Sequence, residues 1–105
     1  MYTITDFKSI ARPECMVITQ HSYRRFLERQ ISIDDVCCAK QNGEIIEQYP
    51  NDFPFPSCLI LGNAENKLLH ICASIDDGMI YVITAYVPDP DKWDIDFKAR
   101  KESTP

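Results

Sequence analysis

Apolar residues recur at two different spacings along the chain, and the change between them falls near Gly43. Before that glycine they recur at three and four residues, as Tyr23, Phe26 and Leu27 do, which is the spacing of a buried helical face. After it, short runs of alternating apolar and polar residues are bounded by turn residues, as in strands. The pattern predicts an α+β fold with helices first and a sheet afterwards.

The helices are predicted from their capping residues. Thr3 or Thr5 is expected to cap a short helix that ends before Pro13. Ser22 is the expected N-cap of a first main helix that reaches about residue 30. Residues 32–35 form a capping box with Asp in place of Glu, which starts the second main helix. Its end is predicted at Gly43, in a left-handed conformation, and residues 15–19 are expected to be a short strand or an extended entry.

Four antiparallel strands in meander order are expected after Gly43, at residues 44–49, 57–62, 67–74 and 79–86. Residues 50–56 contain three prolines and are therefore a loop, with Phe53 and Phe55 as its anchors. The expected architecture is two or three N-terminal helices that cover one face of this four-stranded sheet. After the last strand, residues 89–97 are predicted to form a short helix in which Trp93 and Phe97 pack back.

The turn between the last two strands sets which side chains face the same way. Residues 76–78, Asp-Asp-Gly, fit a three-residue hairpin loop, which pairs His70 with Thr84. Side chains two residues apart along a strand share a face of the sheet. We therefore expect His70, Thr84 and Tyr86 on one face.

Composition indicates one globular domain over residues 1–105, with a core of about 15–97 and a tail of about 98–105. No apolar run approaches the roughly 20 residues that span a bilayer, and no secretory signal is visible, so a cytoplasmic protein is expected. The five cysteines are odd in number, form no CxxC and mostly lie among apolar residues, which favours reduced core thiols without a disulfide. A metal shared by the adjacent Cys37 and Cys38 is disfavoured because neighbouring helical side chains diverge.

The net charge of −5 is distributed unevenly. Residues 1–30 carry five basic and three acidic groups. Residues 31–96 carry three basic and twelve acidic groups, and residues 97–105 carry three basic groups and one acidic group. This balance argues against a broad electrostatic grip on nucleic acid. It leaves room for a local basic site and for a basic partner on the acidic side.

The stretch QHSYRRFLER, residues 20–29, concentrates one histidine and three arginines. His21, Arg25 and Arg29 follow the i, i+4, i+8 rule and line one helical face. Such a line is either a solvated face or a site that handles phosphate. The other histidine, His70, is either a hydrogen-bonded structural residue of its strand or part of that site.

These side chains are sufficient for metal-free cleavage of RNA, although they are not specific to it. The reaction needs a base for the 2′-hydroxyl, an acid for the 5′-oxygen and cations for the charged phosphorane. Histidine titrates near neutral pH and arginine matches the geometry of phosphate. We take His21 or His70 as the acid–base group, Arg25 as the phosphate clamp, and Tyr86 as the group that holds or protonates a phosphate oxygen. The further RNA-binding candidates are Arg24, Arg29, Thr84 and Lys92.

The segments HSYRRFLERQIS, NGEIIEQYP, FPSCLILG, LLHICASIDDG and ITAYVPDPDKW together resemble a bacterial family called domain of unknown function 4258, over residues 18–101. The resemblance implies a fold like the RelE-like and the barnase, EndoU and colicin-type ribonuclease toxins. It also implies the toxin half of a toxin–antitoxin pair, beside a small zinc-finger antitoxin, without metal or cofactor. The family's functional positions fall on His21, Arg25, Arg29, His70 and Tyr86.

Two features depart from that family pattern. Many members carry Gly where this chain has Gln30, which bears on the turn after the helix. The acidic composition is unlike the basic RelE-like toxins. The leading hypothesis is an endoribonuclease toxin, the alternative is a non-catalytic protein-interaction module, and a third is an enzyme acting on a small substrate at an acidic site.

Overall fold

The computed structural model describes residues 1–10 and 13–101, and it places five strands in one sheet with helices against one face. The helices in this part of the chain are α1 (Ile4–Lys8), α2 (Gln20–Glu28) and α3 (Ile33–Asn42), with a single 3-10 turn at Pro13–Cys15. The strands are β1 (Met16–Ile18), β2 (Glu44–Tyr49), β3 (Ser57–Ala64), β4 (Lys67–Asp76) and β5 (Met79–Tyr86).

The sheet order is β1-β5-β4-β3-β2. The strands β2 to β5 form the predicted antiparallel meander. The expected sheet of four strands is nevertheless wrong, because β1 pairs in parallel with β5 and makes the sheet five-stranded and mixed. The coarser prediction of an α+β fold is confirmed.

The capping signals placed α1 and α3 correctly and misplaced the start of α2. Thr3 caps α1 and Ser32 caps α3, each with a complete capping box. The cap of α2 is Thr19, whose hydroxyl oxygen accepts the Ser22 backbone N–H at 3.1 Å. Ser22 instead lies in the first turn of the helix, buried, and its hydroxyl donates to the Ile83 carbonyl at 3.0 Å.

The buried stripe of α2 is also narrower than its spacing predicted. Phe26 is buried, but Tyr23 and Leu27 are 44% and 60% exposed. The short helix is held by Phe26, by the buried Ser22 and by polar contacts to β5. The Tyr23 and Leu27 side chains therefore contribute little to its docking.

The core lies between the helices and the sheet, and its large members are Phe7, Phe26, Ile31, Val36, Ile60, Leu69, Ile71, Ile80 and Val82. Helix α3 approaches β3 so closely that a Cβ on Gly62 would lie 2.0 Å from the Ala39 carbonyl oxygen. Gly43, predicted to be left-handed, is extended with φ −86°. Close packing against the Ile60 side chain, at 2.6 Å from an added Cβ, explains the glycine there.

The predicted register of the last hairpin was wrong, although the prediction of a shared face was right. Asp77 and Gly78 have φ of 51° and 73° and form a two-residue turn, so that Asp76 pairs with Met79. A bulge further along the hairpin then brings His70 opposite Tyr86. The turn and the bulge together keep His70, Thr84 and Tyr86 on the same face.

Two further expectations need correction. Phe53 does not anchor the proline-rich loop, since it is 95% exposed, whereas Phe55 lies 6.1 Å from the Tyr81 ring. All five cysteines are unpaired in the structure, but only Cys58 is fully buried and Cys38 is exposed. Among the described residues no helix is long and apolar enough to cross a membrane.

Candidate functional site

The sheet has an outer face, turned away from the helices, and the polar candidates of β4 and β5 lie there. Ile71 and Ala85 point into the helical core, so alternate residues point outward. His70 pairs with Tyr86 and Cys72 pairs with Thr84, which places these four side chains in two adjacent rows of the outer face. The hairpin thus brings His70 and Tyr86 into contact.

His70 is 0% exposed and both of its ring nitrogens have partners. Nε2 lies 2.8 Å from the Phe97 carbonyl oxygen, and Nδ1 lies 3.3 Å from the Tyr86 hydroxyl. A carbonyl only accepts, so the proton is assigned to Nε2, and Nδ1 accepts from Tyr86. This assignment corresponds to the neutral imidazole, in which the basic nitrogen Nδ1 faces the tyrosine hydroxyl.

Burial shifts the pKa values of both His70 and Tyr86. Burial lowers the pKa of His70, against the opposing influence of the Phe97 carbonyl and the Glu47 charge. Burial also raises the pKa of Tyr86. The imidazole is therefore held neutral and the phenol is held protonated, which suits them to accept and to donate a proton respectively.

The Arg29 side chain extends from α2 to β5 beside Thr84. Its Nη1 donates to the Ala85 carbonyl at 2.8 Å and to Thr84 Oγ1 at 3.2 Å. Together with the bond from Ser22 to Ile83, these contacts cover the edge of β5 beyond the end of β1. The guanidinium is fixed beside Thr84, two residues from Tyr86 on the same face.

A second polar group on the outer face was missed by sequence reasoning. Glu47 accepts two hydrogen bonds from Arg100, Nε at 3.0 Å and Nη2 at 3.1 Å, and a further one from the Tyr49 hydroxyl. Burial opposes ionisation of Glu47, but these bonds outweigh it and lower its pKa. Glu47 and Tyr49 alternate along β2, a signal of an outer-face pair, whereas nothing local marks Arg100.

The C-terminal strap, residues 87–101, lies over this face. The short helix predicted there does not form; the strap folds into a tight hairpin in which Trp93 bridges to Arg100. Trp93 is 4% exposed and packs edge-on against His70, with ring centroids 4.4 Å apart. The Arg100 guanidinium stacks on the Trp93 ring, 4.7 Å from the ring centroid.

The remaining candidates lie apart from the His70–Tyr86 pair. His21 and Arg25 are exposed on α2 and contact each other, Arg25 Nε donating to His21 Nε2 at 3.3 Å. Among the described residues neither hydrogen-bonds to His70 or Tyr86. Arg24 and Lys92 are exposed, the first on α2 and the second on the strap. The candidates that the structure brings together are His70, Tyr86, Thr84 and Arg29.

An open cavity of about 520 Å³ lies elsewhere on the molecule, lined by Val17, Asp52, Phe55, Ser74, Tyr81 and Ile83 among others. It shares no residue with the His70–Tyr86 site. Over residues 1–10 and 13–101, no three His, Cys, Asp or Glu side chains come together in a group that would hold a metal ion.

Residues 18–87, about two thirds of the chain, match the family described as Domain of unknown function (DUF4258). The chain belongs to this family. Comparisons with curated proteins and with solved structures gave no significant match. The matched range includes Arg29, His70, Thr84 and Tyr86, while the strap almost entirely follows it.

Proposed function

We propose that this protein is a metal-independent endoribonuclease of the toxin type, with its active site on the outer face around His70 and Tyr86. The observation that carries this proposal is the 3.3 Å contact between the basic nitrogen of a neutral His70 and the Tyr86 hydroxyl. Arg29, whose Nη1 lies 3.2 Å from Thr84 Oγ1 at the edge of β5, adds a cation near the pair. A base, a proton donor and a cation are the groups that RNA cleavage requires.

The roles follow from the protonation states. His70 accepts the proton of the ribose 2′-hydroxyl as the 2′-oxygen attacks phosphorus. Arg29 stabilises the charge of the phosphorane. The bond from phosphorus to the 5′-oxygen then breaks, and Tyr86 gives its proton to that oxygen. The products are a 2′,3′-cyclic phosphate and a 5′-hydroxyl, and the proton on His70 returns to Tyr86 across their contact.

The wider setting is part of the same proposal. We take the fold as RelE-like, the protein as the toxin of a bacterial toxin–antitoxin pair in the cytoplasm, and its partner as a small zinc-finger antitoxin. The His21–Arg25 pair and Arg24 are exposed on α2, from which they would contact RNA outside the cleavage site. The strongly acidic middle of the chain suits a basic partner surface.

The test is cleavage of single-stranded RNA by matched pairs of variants. His70→Ala is expected to lower the rate about 100-fold or more, the usual effect of removing an acid–base group, whereas His21→Ala keeps most of it. Arg29→Ala is likewise expected to lose about 100-fold and Arg25→Ala far less. Circular dichroism checks that each variant is folded. Loss of activity in His21→Ala with full activity in His70→Ala would move the active site to the α2 face.

A second candidate function, binding a partner protein without catalysis, is favoured by the apolar surface near the cavity. Phe53 is 95% exposed and Ile83 47% exposed, and the cavity between them has a largely apolar lining. Absence of RNA cleavage, with or without ribosomes, both in the wild type and in a variant with accessible His70, would favour this function. The RNA assay therefore separates the two candidates before any partner is known.

A further inference from the structure

The proposed chemistry requires RNA to reach His70, and in this structure it cannot. The His70 side chain is 0% exposed because the strap lies directly over it. Trp93 packs on one side of the imidazole, and the Phe97 carbonyl occupies its Nε2. The residues that close the site belong to one continuous segment at the end of the described chain.

The strap is folded onto itself and is attached to the sheet through side chains. Its backbone bonds within the described residues join strap residues to one another, as between Asp94 and Ala99 at 2.8 Å and between Lys101 and Lys92 at 3.0 Å. It adds no strand to the sheet, so its removal breaks no bond between β-strands. Such a segment can leave the sheet as a unit.

Two ion pairs join the strap to β2, and they differ in their further contacts within the strap. Arg100 binds Glu47 through two hydrogen bonds and also stacks on Trp93. Lys98 binds Glu44 at 2.7 Å, where both side chains are about half exposed. Of these two pairs, only Arg100–Glu47 involves a side chain that also contacts Trp93, whose ring packs on His70.

We infer that the strap is a detachable cover of the His70–Tyr86 site, latched by the Glu47–Arg100 ion pair, and that the site opens when this latch is released. Its consequence for RNA cleavage rests on the proposed function, whereas the cover and its latch do not. Release exposes His70 and frees the Glu47 carboxylate from Arg100. The strap then regulates the site through the population of the open state.

The two histidines of the chain provide a direct measurement of opening. Diethyl pyrocarbonate modifies accessible imidazole, and peptide mass spectrometry resolves His70 from the exposed His21. In Arg100→Gln the modification rate of His70 is expected to rise about fivefold, the factor that loss of one well-formed exposed ion pair gives. Lys98→Gln, which removes the same charge from the same strap, is expected to leave the His70 rate nearly unchanged. The modification rate of the exposed His21 is the internal control, and it should be the same in all samples.

A second variant and a second probe separate opening from unfolding. Trp93→Leu removes the ring that covers His70 without touching Glu47, and it should also speed modification of His70. Trp93 is the only tryptophan of the chain, so its acrylamide quenching reports exposure of the strap in wild type and in Arg100→Gln. Circular dichroism and thermal melting identify any variant that has unfolded.

The outcomes distinguish the cover from the ribonuclease. Faster His70 modification in Arg100→Gln, together with faster RNA cleavage by that variant, supports both the cover and the proposed ribonuclease function. Faster modification without RNA cleavage in any form leaves the cover standing and rejects the proposed function. An unchanged His70 rate in Arg100→Gln and Trp93→Leu, an equal rise in Lys98→Gln, or wild-type His70 as reactive as His21 overturns the cover.

Discussion

The left-handed backbone at Gln30, with φ 58°, follows from the way α2 ends. The Gln30 N–H bonds the Leu27 carbonyl at 3.2 Å, and the Ile31 N–H bonds the Phe26 carbonyl at 2.9 Å. This pair of bonds is a Schellman motif, and it is completed by the buried Phe26 and Ile31 side chains. The motif places Gln30 at the position where glycine is favoured, since a Cβ is strained there.

Replacing Gln30 by glycine is therefore expected to stabilise the protein. Relief of the left-handed strain is worth about 1 kcal/mol, reduced by the greater entropy of glycine in the unfolded chain. The matched control is Gln41→Gly, the same change within α3, which should destabilise by about 0.5–1 kcal/mol. Urea unfolding at constant m-value measures both free energies. Equal destabilisation by the two changes would show that Gln30 is not strained.

At the scale of elements, the packing of α3 on β3 is set by two small residues. Gly62 leaves room for the Ala39 backbone, and an added Cβ would lie 2.0 Å from its carbonyl oxygen. Neither backbone can yield without moving its helix or strand. The small residues thus fix the distance between α3 and the sheet.

Gly62→Ala is expected to destabilise the protein by about 3 kcal/mol or more, at the upper end of overpacking, because α3 must shift away from the sheet. Gly78→Ala is the matched control. Its φ is 73° but an added Cβ meets no atom within 4 Å, so only the left-handed strain of about 1–2 kcal/mol applies. Thermal and urea unfolding measure the difference. A Gly62→Ala protein as stable as Gly78→Ala would contradict the close approach.

Local signals predicted those elements that local contacts determine. The capping box at Ser32, Thr3 as one of two possible caps of α1, and the meander from β2 to β5 were predicted from spacing and turn residues alone. Residues 15–19 are compatible with either a strand or an extended entry on local pattern alone, because β5, the partner of β1, lies more than sixty residues away.

The candidate site divides in the same way. The shared face of His70 and Tyr86 was predicted because one turn joins the two strands. Their direct pairing was not predicted, because it depends on the bulge in the hairpin. The bonds from Arg29 to Thr84, and from Arg100 to Glu47, join segments distant in sequence. No pattern within either segment specifies these contacts. Trp93 was expected to pack back on the fold, but its contact with His70 depends on how the whole strap lies.

At the scale of the whole molecule, the sheet is covered on one face by helices and over part of the other by the strap. His70 is buried beneath that strap, facing Tyr86 from β5, Glu47 from β2 and Arg100 from the strap itself. Burial lowers the pKa of His70 in the folded state. In the unfolded chain the imidazole has its ordinary pKa of about 6.5.

The protein is therefore expected to lose stability as the pH falls below about 6.5, because His70 is then protonated in the unfolded state but not in the folded state. The loss approaches about 1.4 kcal/mol per pH unit until the lower folded pKa of His70 is reached. His70→Asn lacks this titration, so its free energy of unfolding should change less as the pH falls below about 6.5. Urea unfolding at several pH values gives both curves. Parallel curves would show that His70 is not held neutral by the fold.

The parallel pairing of β1 with β5 has a consequence for the order in which the molecule is made. β1 and α2 leave the ribosome before β5 and the strap are synthesised. A growing chain completes the meander hairpin by hairpin, but Arg29 has no Thr84 to bind until β5 exists. The site and its cover therefore assemble only after both β5 and the strap have left the ribosome, long after β1 and α2 have done so.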